Sequence, residues 1–293
     1  MKAAFLADRG VVKLSGEDAR HFLNGLVTTD MTKVVPGEGR FGALLTPQGK
    51  IVADFFVTEL PAADDGGFLI DCARELAQPL ADKLKFYKLR AKVLVENLSD
   101  RLGVLAIWDG DLATPPEASF ADPRDPRLGW RSLVPVELAN KTAVAIGAEL
   151  VDAALYDAHR IRCGAPAGGI DFRYGDAFPH EANMDRLHGV DFDKGCYVGQ
   201  EVVSRMQHRG TARTRTVRLA FDGARPEPGA ELLAADKPVG HLGSLADGIG
   251  LALVRIDRLA EAVEASAPLS AGGVAVRLLD PVEVPKAPTR TLA

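Results

Sequence analysis

The chain has 293 residues, 47% hydrophobic and 26% charged, with a net charge of −5. Its length exceeds one core of roughly 100–200 residues, so more than one packed unit is expected. An acidic balance gives no global pull toward nucleic acid, and no run nears the roughly 18 apolar residues of a membrane helix. The opening "MKAAFLADRG" reaches Asp8 and Arg9 too early for a signal-peptide core and lacks the Arg/Ser bias of a transit peptide, so the cytoplasm is the expected compartment. Cys72, Cys163 and Cys196 are odd in number and far apart, with no CxxC pair. Neither a disulfide frame nor a four-cysteine metal site fits that pattern.

In chain order, "VVKLSG" reads as a short strand. "SGEDARHFLNGLVT" reads as a helix capped by Ser15, with Phe22, Leu23 and Leu26 at helical spacing. "GRFGALLTPQGKIVADFFVTEL" is a hairpin around "TPQGK", and "GGFLIDC" is a further strand. "ARELAQPLADKLKFYKLR" is a helix that Pro79 is placed to interrupt, followed by the strand "AKVLVENL". Residues 109–130, rich in Pro, Asp and Gly, suit a long surface connection between lobes. "ALYDAHRIRCGAP" is helical up to Gly164, and residues 168–195 have little periodicity. From residue 213, short strand-like runs punctuated by Gly and Pro indicate a small all-β barrel or sandwich. The fold class is therefore α+β, with a multi-lobed region over 1–212 and a small C-terminal all-β barrel domain over 213–293.

The segment "KGCYVGQE", residues 194–201, places a thiol between two glycines. A helix is expected over roughly 197–209, ended by Gly210. Cys196 would then sit at its start, where partial positive charge and Lys194 favour the thiolate. Gly199 would fall inside the apolar arc, costing about 1 kcal/mol against alanine and implying a close neighbour. On local grounds alone a buried, inert cysteine is the commoner outcome. Residues 194–218 carry Lys194, Arg205, Arg209, Arg213, Arg215 and Arg218 against Glu201 alone. That local net +5 could attract a polyanion such as RNA, or be a solvated face.

"KGCYVGQE" followed by "RMQHRG" resembles the signature of the YgfZ family of folate-binding proteins, relatives of the glycine-cleavage aminomethyltransferase (T-protein). "HFLNGLVTTDM", "GKIVADFFV", "LKFYKLRAKV", "RIRCGAP" and "FPHEANMD" stand in the same order, so the resemblance spans the chain. It implies an aminomethyltransferase-like arrangement of lobes around a tetrahydrofolate. In the T-protein the glutamate of a Pro-x-Glu segment binds the pterin, and the matching position is Glu181, with Asn183 close by. The transferase hairpin carries two consecutive aspartates. Here Ala53 replaces one and Asp54 remains, which weakens an aminomethyl-transfer reading. The motif residues Lys194, Gly195, Cys196, Tyr197, Gly199, Gln200 and Glu201 belong to the YgfZ-like proteins, with Cys196 the implied functional thiol. Such proteins are associated with maturation or repair of iron–sulfur (4Fe–4S) proteins and, through those enzymes, with tRNA modification. The resemblance thus implies a folate-dependent accessory factor with iron–sulfur client or assembly proteins as partners. A folate-dependent aminomethyltransferase or demethylase is the enzymatic alternative, and RNA binding through the arginines is the third.

Overall fold

The computed structural model describes residues 1–61, 66–210 and 212–282. They divide into two compact units. The first holds Met1–Thr46, Ile51–Tyr156 and Arg186–Val198; the second holds Pro47–Lys50, Asp157–Asp185 and the described chain from Gly199 onward.

The first unit contains β1 (Lys2–Leu6), β2 (Arg9–Ser15), α1 (Ala19–Asn24), β3 (Gly39–Leu45), β4 (Ile51–Glu59), β5 (Phe68–Ala73), α2 (Arg74–Tyr87) and β6 (Leu94–Asn97). It continues with β7 (Leu102–Trp108), β8 (Ser119–Ala121), β9 (Trp130–Pro135), α3 (Ala139–Ala145) and β10 (Glu149–Leu150). These strands form two five-stranded sheets, ordered β3-β4-β5-β2-β6 and β10-β1-β7-β9-β8. The first is antiparallel throughout, and Ala43 faces Asp54 across the expected hairpin. Helix α2 lays Ala77, Leu80, Ala81 and Leu84 onto a core with Val12, Leu14, Phe55 and Ile70. That i, i+3, i+4, i+7 stripe is the amphipathic pattern of a helix on a sheet. Pro79 does not break the helix. It costs one backbone hydrogen bond, and the carbonyl that loses its donor belongs to the exposed Glu75, where water can replace it.

Two expectations are corrected here. Ser15 does not cap α1, because β2 runs through it and pairs it with Leu94. The helix starts after Asp18 instead, whose carboxylate accepts the Lys92 N–H at 2.7 Å. Residues 109–130 do not connect lobes either. They join β7 to β9, neighbours in one sheet, and supply β8 at its edge. Phe120 and Leu128 in this stretch are fully buried. Its Pro and Asp residues build tight turns within a core element: Asp122 and Asp125 each accept the backbone N–H of the arginine two residues on.

The core between strands of the first unit also carries charge. Asp71 is buried and takes Arg9 at 2.7 Å and Arg131 at 2.7 Å, while Asp122 takes Arg124 at 2.8 Å. The Arg131 and Arg124 guanidinium carbons lie 4.2 and 4.6 Å from the centre of the Phe56 ring. Pairing and stacking together make these charges tolerable away from water.

Helix α4 (Ala153–Cys163) precedes the irregular segment, which holds turns but neither helix nor strand up to α5 (Gln200–Arg209). The second unit then runs through β11 (Thr214–Phe221), β12 (Glu231–Ala234), β13 (Lys237–Ala246), β14 (Ile249–Arg255), α6 (Ile256–Glu264), β15 (Leu269–Ala271) and β16 (Val274–Leu278). Its strands close into a barrel in the order β11-β14-β13-β12-β15-β16. Val217, Leu219, Leu232, Leu242 and Val254 fill it, with Leu259 and Ala262 of α6 in the same core. The expected C-terminal barrel is thus present. Helix α6 was not expected, since "GIGLALVRI" reads as strand through Ile256; the Ile256, Leu259, Ala262 spacing carries its signal.

Candidate functional site

The "KGCYVGQE" cysteine lies on a loop of the first unit that is fastened from several sides. Thr28 donates its hydroxyl to the Gly189 carbonyl at 2.6 Å, and its own carbonyl accepts the Asp191 N–H at 3.0 Å. Lys33 pairs with Asp191 at 2.5 Å. Lys194 is 7% exposed, and its ammonium donates to the carbonyls of Asn24, Val27 and Thr29 at 2.8, 2.6 and 2.8 Å. These are carbonyls at and beyond the end of α1, which have no helical partner and take a cation well. Burial pulls the Lys194 ammonium down to about 8, while Asp30 and Asp191 act the other way. Tyr197 is buried too, and burial, then the Asp191 charge, pushes its phenol up to about 12. Between these anchors, Gly195 and Cys196 are exposed.

Cys196 is therefore neither buried nor at a helix start. Helix α5 begins at Gln200, and Gly199 is its N-cap residue with φ of +82°. The glycine answers a left-handed backbone requirement and not a mid-helix vacancy. A close approach exists as well: a Cβ at Gly49, in the Pro47–Lys50 turn of the second unit, would lie 3.0 Å from the Val202 Cβ and 3.4 Å from the Gly199 carbonyl. A Cβ at Gly195 would meet nothing within 4 Å, so no steric demand among the described residues explains that glycine. Glu201 is exposed and bonds Arg205 one turn on, a surface pair of the i, i+4 type.

In the second unit, Glu181 sits in a turn tied to β11. Its carbonyl accepts the Thr216 N–H at 3.1 Å and the Thr216 hydroxyl at 3.0 Å. Its carboxylate Oε2 accepts the Phe178 N–H at 2.8 Å, which fixes the side chain. Glu181 lines a cavity of about 550 Å³ together with Lys50, Asp171, Arg173, Asp176 and His241. Lys50 stands 3.5 Å from the centre of the Phe178 ring and 3.8 Å from Asp176. Asp171 is spent on structure: it accepts from Ser244 N at 2.7 Å, Ala167 N at 2.8 Å and Arg160 at 3.0 Å. Lys50 escaped notice in the sequence because a lysine in a hairpin turn looks solvated.

Asn183, expected beside the pterin, is engaged within the second unit. Its φ is +56°, its amide donates to the Thr216 carbonyl at 2.8 Å, and its oxygen accepts from Arg215 at 3.2 Å. Both ends of the side chain hold the turn on β11. Asp54 is buried in β4 of the first unit. Burial works against the Arg9 charge, and Asp71 and then Asp54 outweigh it, so Asp54 contributes to the buried charge set. The expected basic face also dissolves. Arg215 is buried on Asp185 at 2.8 and 3.0 Å, Arg218 is forked onto Asp280 at 2.6–3.2 Å, and Arg205 bonds Glu201. Arg209 and Arg213 are left facing solvent. His180 is buried, with Nε2 3.0 Å from Gln207 of α5, and burial lowers its pKa.

Residues 7–111 match the family model described as the GCVT N-terminal domain. Residues 213–286 match the one described as CAF17, C-terminal beta-barrel domain. The solved glycine cleavage system aminomethyltransferase T from Bartonella henselae superposes with a TM-score of 0.71 over 98% of this chain and 87% of that one, at 16% identity. The aminomethyltransferase-like fold follows from that likeness. The iron-sulfur cluster assembly factor IBA57 homolog of Mycosarcoma maydis is 36% identical over 82% of this chain. The chain spans 62% of that relative's length and 54% of the Neurospora crassa one. Human IBA57 is 31% identical over 88% of this chain and 78% of its own, and mouse IBA57 is 31% identical over 87% and 77%. All of these relatives are named as mitochondrial, which overturns the cytoplasmic expectation. With identity above 30% over more than two thirds of the human and mouse proteins, the chain belongs to the IBA57 family of iron–sulfur cluster assembly factors.

Proposed function

We propose that this chain is a YgfZ-type, tetrahydrofolate-binding accessory factor for the assembly or repair of 4Fe–4S proteins, supporting tRNA modification through such clients. The observation that carries the proposal is the exposed Cys196 thiol on a loop anchored by Lys194 and Tyr197, in a chain whose relatives are named assembly factors. A cluster needs about four protein ligands. Among the described residues no group of three or more His, Cys, Asp or Glu could hold a metal ion. A single thiolate then acts by lending one ligand to a cluster whose remaining ligands come from a partner protein. The cluster is cargo passing between proteins.

For folate, the residues fit at Glu181. A carboxylate is a bidentate acceptor for the adjacent N–H donors of a pterin ring. The cavity lies within the roughly 300–1,000 Å³ of small-molecule sites. Lys50 and Arg173 on its wall are opposite in charge to folate's own carboxylates. Folate would serve as a ligand and not as a one-carbon donor, since Ala53 stands where the transferase has its second aspartate.

The test is a deletion strain scored for 4Fe–4S enzyme activities and complemented with wild type, Cys163→Ala or Cys196→Ala. Rescue by the first two and not the third is expected. Full rescue by Cys196→Ala removes the thiol from the mechanism. In parallel, tetrahydrofolate is titrated into purified protein. Glu181→Gln keeps an acceptor for the Phe178 N–H and is expected to weaken binding about tenfold, the loss of roughly 1.4 kcal/mol. Unchanged affinity would place the pterin elsewhere.

A further inference from the structure

The C-terminal end of α2 displays what the folded chain has no use for. Phe86 is 77% exposed and Leu89 is 88% exposed. Phe86 lies about 180° around the helix from the buried Ala77, Leu80, Ala81, Leu84 stripe, so it cannot serve that core. Tyr87 meets it edge-on at 5.9 Å between ring centres. Leu89 has φ of +42°, a left-handed conformation that costs a leucine on the order of 1 kcal/mol or more. The turn is clipped in that state: the Ala91 N–H donates to the Lys88 carbonyl at 2.7 Å, and the Lys88 ammonium to the Val93 carbonyl at 3.1 Å. Strain is thus accepted while the side chain is held out into solvent.

Charge surrounds the two apolar groups. Residues 83–92 contain Lys83, Lys85, Lys88, Arg90 and Lys92 and no acid, in a chain of net charge −5. Lys92 is paired with Glu17 at 2.7 Å, and Lys85 lies 3.9 Å from Asp82. Lys83, Lys88 and Arg90 make no ion pair among the described residues.

We propose that the end of α2 is a docking surface for a partner protein that presents apolar side chains ringed by carboxylates. Charge complementarity selects that occupant: an aromatic and a leucine form the anchor, and the cations form a rim that steers an acidic face. A bilayer is the poorer fit. Two side chains bury little apolar area, and stable membrane attachment takes a larger insertion or a second signal. The surface stands on these residues alone and is unaffected if the Cys196 thiol proves idle.

The test replaces Phe86 by the photo-crosslinker p-benzoylphenylalanine in the full chain, expressed in the deletion strain. The same residue at Val144 of α3, 74% exposed, is the control. A discrete protein adduct at position 86 and not at 144 is expected, with the crosslinked site mapped to an acidic, apolar surface of the partner. Lys85→Glu with Arg90→Glu should reduce the adduct roughly tenfold. The purified partner should bind Phe86→Ser and Leu89→Ser at least about tenfold more weakly than wild type. These are surface changes, and unaltered thermal unfolding confirms that the variants are folded. A lipid adduct, equal adducts at 86 and 144, no adduct, or indifference to charge reversal overturns the proposal.

Discussion

Replacing Lys194 by methionine tests what holds the cysteine loop. The Lys194 ammonium bonds three carbonyls, of which those of Val27 and Thr29 belong to buried residues and that of Asn24 to a half-exposed one. Water can replace the donor at Asn24. The other two carbonyls lose a charged donor and stay buried, at about 1–3 kcal/mol each. Allowing for relaxation, the cost is about 2–4 kcal/mol, or roughly 30- to 700-fold in the local opening equilibrium. The change belongs to the loop and its seat, and a chain of two units does not license a single unfolding free energy. Amide hydrogen exchange over residues 24–34 and 189–198 is therefore the assay. Lys92→Met removes an exposed pair with Glu17 and should cost under about 1 kcal/mol. Lys194→Arg keeps the charge but offers a planar fork to three converging acceptors, and should fall between the two. Exchange over residues 24–29 in Lys194→Met within about 0.5 kcal/mol of wild type would show that the ammonium bonds are not what seats the loop.

In the native protein Cys196 should react with a maleimide first and Cys72 only on unfolding, because burial pushes the Cys72 thiol up to about 12 and shields it; rapid labelling of Cys72 would show that the β5 core opens. Arg131→Met should destabilise the first unit by about 1–3 kcal/mol, since the buried Asp71 Oδ2 loses its charged donor while Arg9 keeps Oδ1; a change within about 0.5 kcal/mol of wild type would show that Arg9 alone satisfies Asp71. His180 has a lowered pKa in the folded state, so below about pH 6.5 the unfolded chain binds more protons and the second unit loses stability as pH falls. His180→Gln should flatten that slope between about pH 7 and about pH 5, and parallel slopes for the two proteins would exclude the histidine as the cause.

The elements that the sequence announced are those whose pattern is local. The β3–β4 hairpin and the barrel strands alternate and are punctuated by turn residues, so period and turn chemistry agree. Failures came where one composition serves two environments. "DPRDPR" repeats a turn in which the aspartate bonds the arginine two residues on. Asp122 and Arg124 use it in the core, Asp125 and Arg127 use it at the surface, and no local signal separates them. The candidate site divides the same way. The end of α5 at Gly210 was visible as backbone punctuation, whereas Gly199 read as a mid-helix residue and is the N-cap. Whether Cys196 was buried, and whether Arg215 faced solvent, depended on partners at long range: Lys194 reaches residues 24–29, and Arg215 reaches Asp185. Side-chain charge in a sequence says nothing of which charges cancel.

That division sorts the motif by role. A thiol that lends a ligand to another protein's cluster must be accessible, yet a freely moving loop would lose conformational entropy on every encounter. Lys194 and Tyr197 are buried and the two residues between them are exposed, an arrangement that would suit both demands. Lys194 is then scaffolding, and its charge is spent on carbonyls and not offered to a ligand. Tyr197 likewise gives its ring to the interior. It follows that Lys194→Met and Cys196→Ala should fail differently in the complemented deletion strain. Under the proposed role, the alanine variant keeps the loop and loses the ligand, so raising its expression should not restore client activity. The methionine variant keeps the ligand on a loosened loop, so raising expression should restore part of it. Equal failure at every expression level would mean that Lys194 acts beyond the placement of the thiol.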